Sequence, residues 1–239
     1  MNTALIFAGG TGIRMNARAK PKQFLELHGK PVIIYTLEHF ELHPEIDDIT
    51  VVCLESRIPE LKHLLKRYGI EKVGRIVPGG NEGHDSIYNG LCALNDACGA
   101  DDIVLIHDGV RPLINEDLIS ANIAKAKACG AAITAEAVTE SVVRLDGDGR
   151  IAEVPPRWEM HTAKAPQSFK YGLIRDLYER ARRDGVGTVD SAHLCGVYGV
   201  EMHTVESPPN NMKITAPTDY YIFRALYEAM ENEQIFGIR

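Results

Sequence analysis

No stretch of this sequence approaches the roughly 20 consecutive apolar residues that a membrane-spanning helix requires, and no pair among its cysteines has CxxC metal or redox spacing. The five cysteines, Cys53, Cys92, Cys98, Cys129 and Cys195, are odd in number and scattered, which fits a reducing compartment rather than a disulfide framework. No basic segment precedes the apolar run from Thr3 to Ala8, and glycines close that run, so a secretory signal is not expected and the cytoplasm is the expected location. Positive charge is in deficit, with a formal net charge of -7, which argues against a general affinity for nucleic acid or an anionic membrane. Any phosphate site must therefore be local. Repeats, linkers and low-complexity segments are missing as well. The 239 residues, 45% of them hydrophobic, suffice for one large core, so a single domain over residues 1–239 is expected.

What is present is an alternation of short apolar runs with segments of helical period. Strands are predicted at Ala4–Phe7, Ile49–Val52, Arg75–Val77 and Ile103–Ile106. They are followed in turn by helices from Pro31 through Phe40, Pro59 to Tyr68, Asp85 to Cys98 and Glu116 to Cys129. Such alternation implies an α/β fold with a Rossmann-like, mainly parallel sheet flanked by helices, built from right-handed crossovers. Ligands then belong at the carboxyl ends of the strands. After Ala131 the rhythm changes: Ala132–Leu145 and Ile151–Val154 read as extended segments around the turn Asp146-Gly147-Asp148-Gly149, giving a β-arm excursion over residues 139–158. Helices are expected again near Gly172–Arg182 and Val189–Tyr198, and a last one from Pro217 to about Glu231.

The first strand runs into Ala8-Gly9-Gly10-Thr11-Gly12-Ile13-Arg14-Met15, and Pro21-Lys22-Gln23 follows shortly after. Glycines let backbone N–H groups close on phosphate oxygens, and fixed cations offset charge that builds up during group transfer. The Walker pattern is excluded, because no Gly-Lys-Ser/Thr follows at the required spacing. The dinucleotide fingerprint fails for want of a third glycine after Gly10-Thr11-Gly12. That failure, together with the cations in the loop, argues against a nicotinamide-dependent oxidoreductase, although Glu55 closes the second strand. Asp108 stands at the carboxyl end of an apolar strand. There its carboxylate meets Mg²⁺ or a ribose hydroxyl, or else salt-bridges Arg111 or caps a turn. His107 has no metal-ligand partner at usable spacing and reads as a loop or core histidine; Arg111 reads as a buttress for the loop before Pro112.

The order A-G-G-x-G-x-R-M, P-K-Q, Gly79-Gly80 before a helix, His107-Asp108-Gly109-Val110-Arg111-Pro112, Pro166-Gln167-Ser168-Phe169 and Met212-Lys213-Ile214-Thr215 resembles the sugar-nucleotidyltransferase superfamily. More closely, it resembles the cytidylyltransferases of methylerythritol phosphate and ribitol 5-phosphate, over nearly the whole chain. The resemblance implies CTP and a polyol phosphate as substrates, Mg²⁺ as cofactor with Asp108 as its ligand, and catalysis by Arg14 and Lys22. It implies nucleotide recognition by Phe7, Ala8, Gly9, Gly10, Thr11, Gly12, Gly79, Gly80, Asn81 and Ser86, and acceptor-phosphate binding by Ser141, Arg157 and Lys213. In the relatives the arm exchanges across a homodimer, so a dimer through the arm is implied. The stretch Arg157-Trp158-Glu159-Met160 and Phe169 after Pro166-Gln167-Ser168 look more like the ribitol branch, with methylerythritol phosphate as the alternative acceptor and other polyol phosphates open. Three positions depart from the pattern: Gly83, followed by His84, where relatives carry arginine; Ala165 where many have threonine; and the stretch Thr139-Glu140-Ser141, where an acidic residue and a threonine are common. The loss of arginine at Gly83 leaves a non-catalytic nucleotide-binding module as the alternative of another class.

Overall fold

The computed structural model describes residues 1–10 and 20–236, with the backbone alone for 233–236. Its centre is β1 (Asn2–Ala8), whose side chains alternate between two apolar layers, as the period of two in a strand requires. Ala4 and Ile6 face one layer and Leu5 the other. Three further strands extend it in parallel: β4 (Asp48–Cys53) and β6 (Ile103–Asp108) pair directly with β1, and β5 (Val73–Pro78) pairs with β4. Among the described residues the sheet has seven strands in the order β11-β7-β10-β6-β1-β4-β5, where β7 is Ala131–Ala137, β10 is His161–Lys170 and β11 is His203–Glu206. Only β10 runs against its neighbours, pairing antiparallel with both β6 and β7. The remaining strands are short: β2 (Glu26–Leu27) with β3 (Lys30–Pro31), and β8 (Arg144–Leu145) with β9 (Ile151–Glu153).

Helices α1 (Val32–Leu42), α2 (Ile58–Tyr68) and α4 (Glu116–Cys129) cover one face, and α3 (Gly83–Cys92), α5 (Tyr171–Asp184) and α6 (Ser191–Val197) cover the other. The cappings follow local chemistry. Asn115 starts α4 by accepting from the Leu118 N–H at 3.0 Å, and α2 stops at Gly69, whose φ of 65° is left-handed. A last helix, α7 (Pro217–Phe236), packs Phe223 against Tyr35 of α1 and joins Val110, Leu113 and Ile214 in a third apolar cluster. None of the described helices is long and apolar enough to cross a membrane.

Several elements differ from expectation for local reasons. The helix expected to reach Cys98 ends at Cys92. Beyond it the Leu94 N–H turns back to the Leu91 carbonyl at 3.1 Å, and the Tyr171 hydroxyl donates to the same carbonyl at 2.9 Å. The helix expected from Val189 begins at Ser191, because Asp190 caps it by accepting from the His193 N–H at 2.8 Å. The extended segment expected to run to Leu145 pairs only as far as Ala137. The arm beyond is exposed and keeps only the short β8–β9 hairpin. Strands β10 and β11 were not predicted as such; β10 carries Pro166, which has no N–H to give a ladder, and the pairing with β7 shifts between Ala163 and Gln167.

Candidate active site

The sheet's carboxyl edge brings several predicted residues together, beginning with the exit of β1. Gln23 lies on a 3-10 turn (Lys22–Phe24), is buried, and donates from Nε2 to the Ala8 carbonyl at 2.6 Å and the Gly10 carbonyl at 3.2 Å. A trans peptide sets its N–H opposite its carbonyl, so turning the Ala8 carbonyl toward Gln23 points the Gly9 N–H away from it, as a phosphate cradle requires. Across the edge, the Gly80 N–H donates to the Ser86 hydroxyl at 3.0 Å, and that hydroxyl donates to the Glu82 carbonyl at 3.1 Å. Here the chain is so close that a Cβ on Gly80 would stand 2.2 Å from the Asp85 Cβ, so only glycine fits. The two loops touch: a Cβ on Gly9 would lie 3.1 Å from the Ser86 hydroxyl oxygen. Thus Ala8, Gly9, Gly10, Gly79, Gly80 and Ser86 form one neighbourhood, with Asn81 exposed at its rim. Thr11, Gly12 and Arg14 lie outside the described residues. Lys22 is described, and its charge is felt at Asp219.

The second neighbourhood centres on Asp108, in register with Phe7 across the β1–β6 pair. Its Oδ2 accepts from Arg111 Nε at 3.1 Å, and its Oδ1 lies 2.5 Å from the Lys213 ammonium. Burial works against the charge, but the Lys213 and Arg111 cations outweigh it and hold the carboxyl below its usual range. The Lys213 nitrogen also sits 5.5 Å from the centroid of the Phe7 ring. The loop after β6 is fixed by donors onto its carbonyls: Thr36 Oγ1 to Gly109 at 3.4 Å, His107 Nε2 to Arg111 at 3.1 Å and His39 Nε2 to Pro112 at 2.8 Å. Burial pushes the His107 imidazole down to about 3, so of the loop and core readings its sequence position allows, the core one holds. Arg111 stands in the buttressing position its sequence context suggests, with Nη1 on the Asn211 carbonyl at 2.9 Å.

The third group is apart. Arg157 and Ser141 are exposed on the arm, where Arg157 Nη1 donates to the Thr139 carbonyl at 3.0 Å. Ser141 lines a cleft of about 770 Å³ with Thr139, Glu140, Thr162 and Glu206. Among the described residues no hydrogen bond or ion pair joins either to Lys213. The expected acceptor-binding trio is therefore divided within one chain, with Lys213 grouped instead with Asp108.

The family model for 2-C-methyl-D-erythritol 4-phosphate cytidylyltransferase (IspD) matches residues 2–228. The chain belongs to this family. As an IspD-family member it is a nucleotidyltransferase of the cytidylyltransferase class. It is 46% identical to the ribitol-5-phosphate cytidylyltransferase of Streptococcus agalactiae serotype Ia over 239 residues, covering 100% of both chains. It is 47% identical to the ribitol-5-phosphate cytidylyltransferase of Vibrio parahaemolyticus over 99% of this chain and 100% of that one. The 2-C-methyl-D-erythritol 4-phosphate cytidylyltransferase of Geotalea uraniireducens is 38% identical, over 97% and 99%. Among solved structures, 4-diphosphocytidyl-2C-methyl-D-erythritol synthase from Anaerococcus prevotii superposes with a TM-score of 0.83 at 27% identity, covering 95% of this chain and 96% of that one.

Within this IspD-family site, the sequence reading missed two amides. Gln23 was visible as part of P-K-Q, but its role depends on two carbonyls that only the fold brings to it. Asn211 carried a turn signal, after Pro208-Pro209-Asn210, and no sign of burial; it is fully buried.

Proposed function

We propose that this chain transfers the cytidylyl group of CTP to the phosphate of ribitol 5-phosphate, forming CDP-ribitol and releasing pyrophosphate. The observation that carries this reading is the end-to-end similarity to ribitol-5-phosphate cytidylyltransferases, at higher identity than to the methylerythritol enzymes. An acceptor phosphate oxygen attacks the α-phosphorus in line. The new P–O bond forms as the bond to the β-phosphoryl oxygen breaks, and pyrophosphate leaves with the electron pair. No protein nucleophile is needed. Arg14 and Lys22 offset the added charge at the α-phosphorus, while Phe7 to Gly12 and Gly79, Gly80, Asn81 and Ser86 seat the nucleotide. The Gly9 N–H, turned away from Gln23, and the Gly80–Ser86 bond support that assignment. Lys213 holds an acceptor or triphosphate oxygen from its place above Phe7.

Asp108 is the carboxylate for Mg²⁺ in this proposal. Among the described residues no three His, Cys, Asp or Glu side chains gather to cage a metal. With Arg111 on Oδ2 and Lys213 on Oδ1, Asp108 would share Oδ1 between the ammonium and an ion that arrives with the triphosphate and takes its other ligands from phosphate and water. When bound, Mg²⁺ neutralises phosphate charge.

The arm completes the proposal. Leu145, Ile151, Val154 and Trp158 are 54%, 62%, 58% and 80% exposed, an apolar set that supports burial against a second copy. Arg157 and Ser141 then serve the acceptor phosphate at the second copy's site, and the whole chain acts as one nucleotidyltransferase domain. Its five free thiols suit a reducing cytoplasm.

The test is pyrophosphate release with Mg²⁺, CTP and either ribitol 5-phosphate or 2-C-methyl-D-erythritol 4-phosphate. Ribitol 5-phosphate is expected to give the higher kcat/KM. Preference for the methylerythritol compound would select the second reading, which the family model's own description favours. CTP binding without release from either acceptor would select a non-catalytic module.

A further inference from the structure

The segment 207–216 crosses the carboxyl edge between β11 and α7 without regular structure, yet it holds Lys213 in place. Two pins make this possible. On one side, the Ile214 N–H donates to the Val110 carbonyl at 2.9 Å. On the other, Asn211 is fully buried, and its Nδ2 donates to the Ala165 carbonyl at 2.9 Å and the Ser207 hydroxyl at 3.2 Å. The Asn211 carbonyl accepts from Arg111, the same guanidinium that bonds Asp108. Asn210 turns the strap with a φ of 71°, a left-handed conformation that asparagine tolerates better than most residues. Asn211 therefore joins the strap, the loop after β6 and the irregular stretch of β10, with Lys213 lying between the two pins.

We propose that Asn211 is a positioning residue for cytidylyl transfer: its side-chain amide locks the strap so that the Lys213 ammonium stays against Asp108 and above Phe7. This rests on the assignment of Lys213 to the reaction made above. Asn211 acts only through Lys213 and touches no substrate. The donor character is essential, because one side-chain nitrogen serves an acceptor in β10 and another within the strap. An aspartate of the same shape would set a carboxylate against the Ala165 carbonyl.

The experiment compares wild type, Asn211→Ala, Lys213→Ala and the double variant by pyrophosphate release, and measures acetylation of Lys213 by acetic anhydride with mass spectrometry. In Asn211→Ala, kcat falls about 10- to 100-fold, the effect of misplacing a catalytic group by roughly an ångström, while KM for CTP changes less. The double variant is no slower than Lys213→Ala, because the amide has nothing left to position. Acetylation of Lys213, whose ammonium sits against Asp108 in wild type, rises severalfold relative to other lysines once the strap no longer holds it there. Equal multiplicative losses in the cycle, or unchanged Lys213 acetylation, would overturn the proposal. Wild type that releases no pyrophosphate but shows the acetylation change would instead refute the substrate reading and leave the positioning role standing. Should Asn211→Ala not fold, Ser207→Ala removes a single acceptor of Nδ2; acetylation and kcat move in the same directions by a smaller factor, and no movement in either overturns the idea.

Discussion

Asp108→Asn is the most informative single change, since it removes one charge and almost no volume. The Asp108 and Arg111 side chains are 6% and 10% exposed, so the variant leaves a guanidinium buried without its counter-charge. Breaking a buried ion pair from one side costs roughly 3–5 kcal/mol. Lys213 is 39% exposed and can turn to water, and Arg111 keeps the Asn211 carbonyl, so the lower end, about 3 kcal/mol, applies. For a chain of this size that lowers Tm by about 6–12 °C. The pH dependence supplies a second check. The folded-state carboxyl lies below its ordinary 3.8, so its contribution is fully present above the unfolded value and is lost as pH falls through the folded one. Differential scanning calorimetry from about pH 5 to 8 should find a constant gap between wild type and variant, narrowing only in stronger acid. A Tm change under about 2 °C would refute the energetic argument. A gap that closed between about pH 6 and 7 would mean that a histidine carries the effect, against the burial that holds His107 neutral.

The other expectations concern the two loops, the cations and the arm. Lys22→Ala is expected to cut kcat by about 10²–10³-fold, the usual cost of a lost transition-state contact, with an unchanged circular dichroism spectrum; near-normal turnover would remove it from the catalytic set. Gln23→Leu strands the Ala8 and Gly10 carbonyls, which should cost about 1–3 kcal/mol each where they are shut off from water and raise KM for CTP more than for the acceptor. Calorimetric CTP titration checks this, and wild-type affinity would sink it. Gly80→Ala forces apart atoms 2.2 Å from each other and should weaken CTP binding severely, whereas Gly83→Ala, with nothing within 4 Å, serves as the control that should bind normally. Sedimentation should find a dimer of the 26.4 kDa chain at micromolar concentration and a monomer for Leu145→Glu with Ile151→Glu; a monomeric wild type would dismiss the arm exchange.

Much of the first half of the fold was legible because its central strands β1 and β6 are short apolar runs and α2 and α4 carry their own stops, whereas α3 ends at Cys92, short of the Cys98 its pattern suggested. β1 with Leu5 and Ile6 turned to opposite layers, and α4 between Asn115 and Gly130, are readable locally. Strand β10 was not, since Pro166 interrupts its ladder and its exposed beginning at His161–Ala163 looks like loop. The close approach of the two glycine loops was legible because it excludes side chains at Gly9 and Gly80, and that exclusion leaves glycine in the sequence. The pairing of Asp108 with Lys213 was not, because 105 positions of chain separate them and neither residue's neighbours indicate the other. Each was assigned separately, one to metal and one to acceptor phosphate. A contact made by a salt bridge between a strand end and a distant strap leaves no periodicity to read.

The reversal of β10 explains why this edge can carry an arm at all. Were β10 parallel to β7, a crossover would return the chain to the amino edge, and the excursion from Val138 to Met160 would end far from the loops that follow β1 and β6. Running antiparallel, β10 begins where β7 ends, with His161 opposite Ala137. Both roots of the arm therefore lie at the carboxyl edge, tied by the Val138 N–H to the Met160 carbonyl at 3.2 Å. The same strand then presents the Ala165 carbonyl to Asn211 and the Gln167 side chain to Asp190 and the Ala192 N–H. One strand direction thus fixes where the arm is rooted, where the Lys213 strap is pinned and where α6 begins. A substitution that disturbed β10 pairing would therefore change the Lys213 strap and the arm together, although each lies in a different part of the sequence.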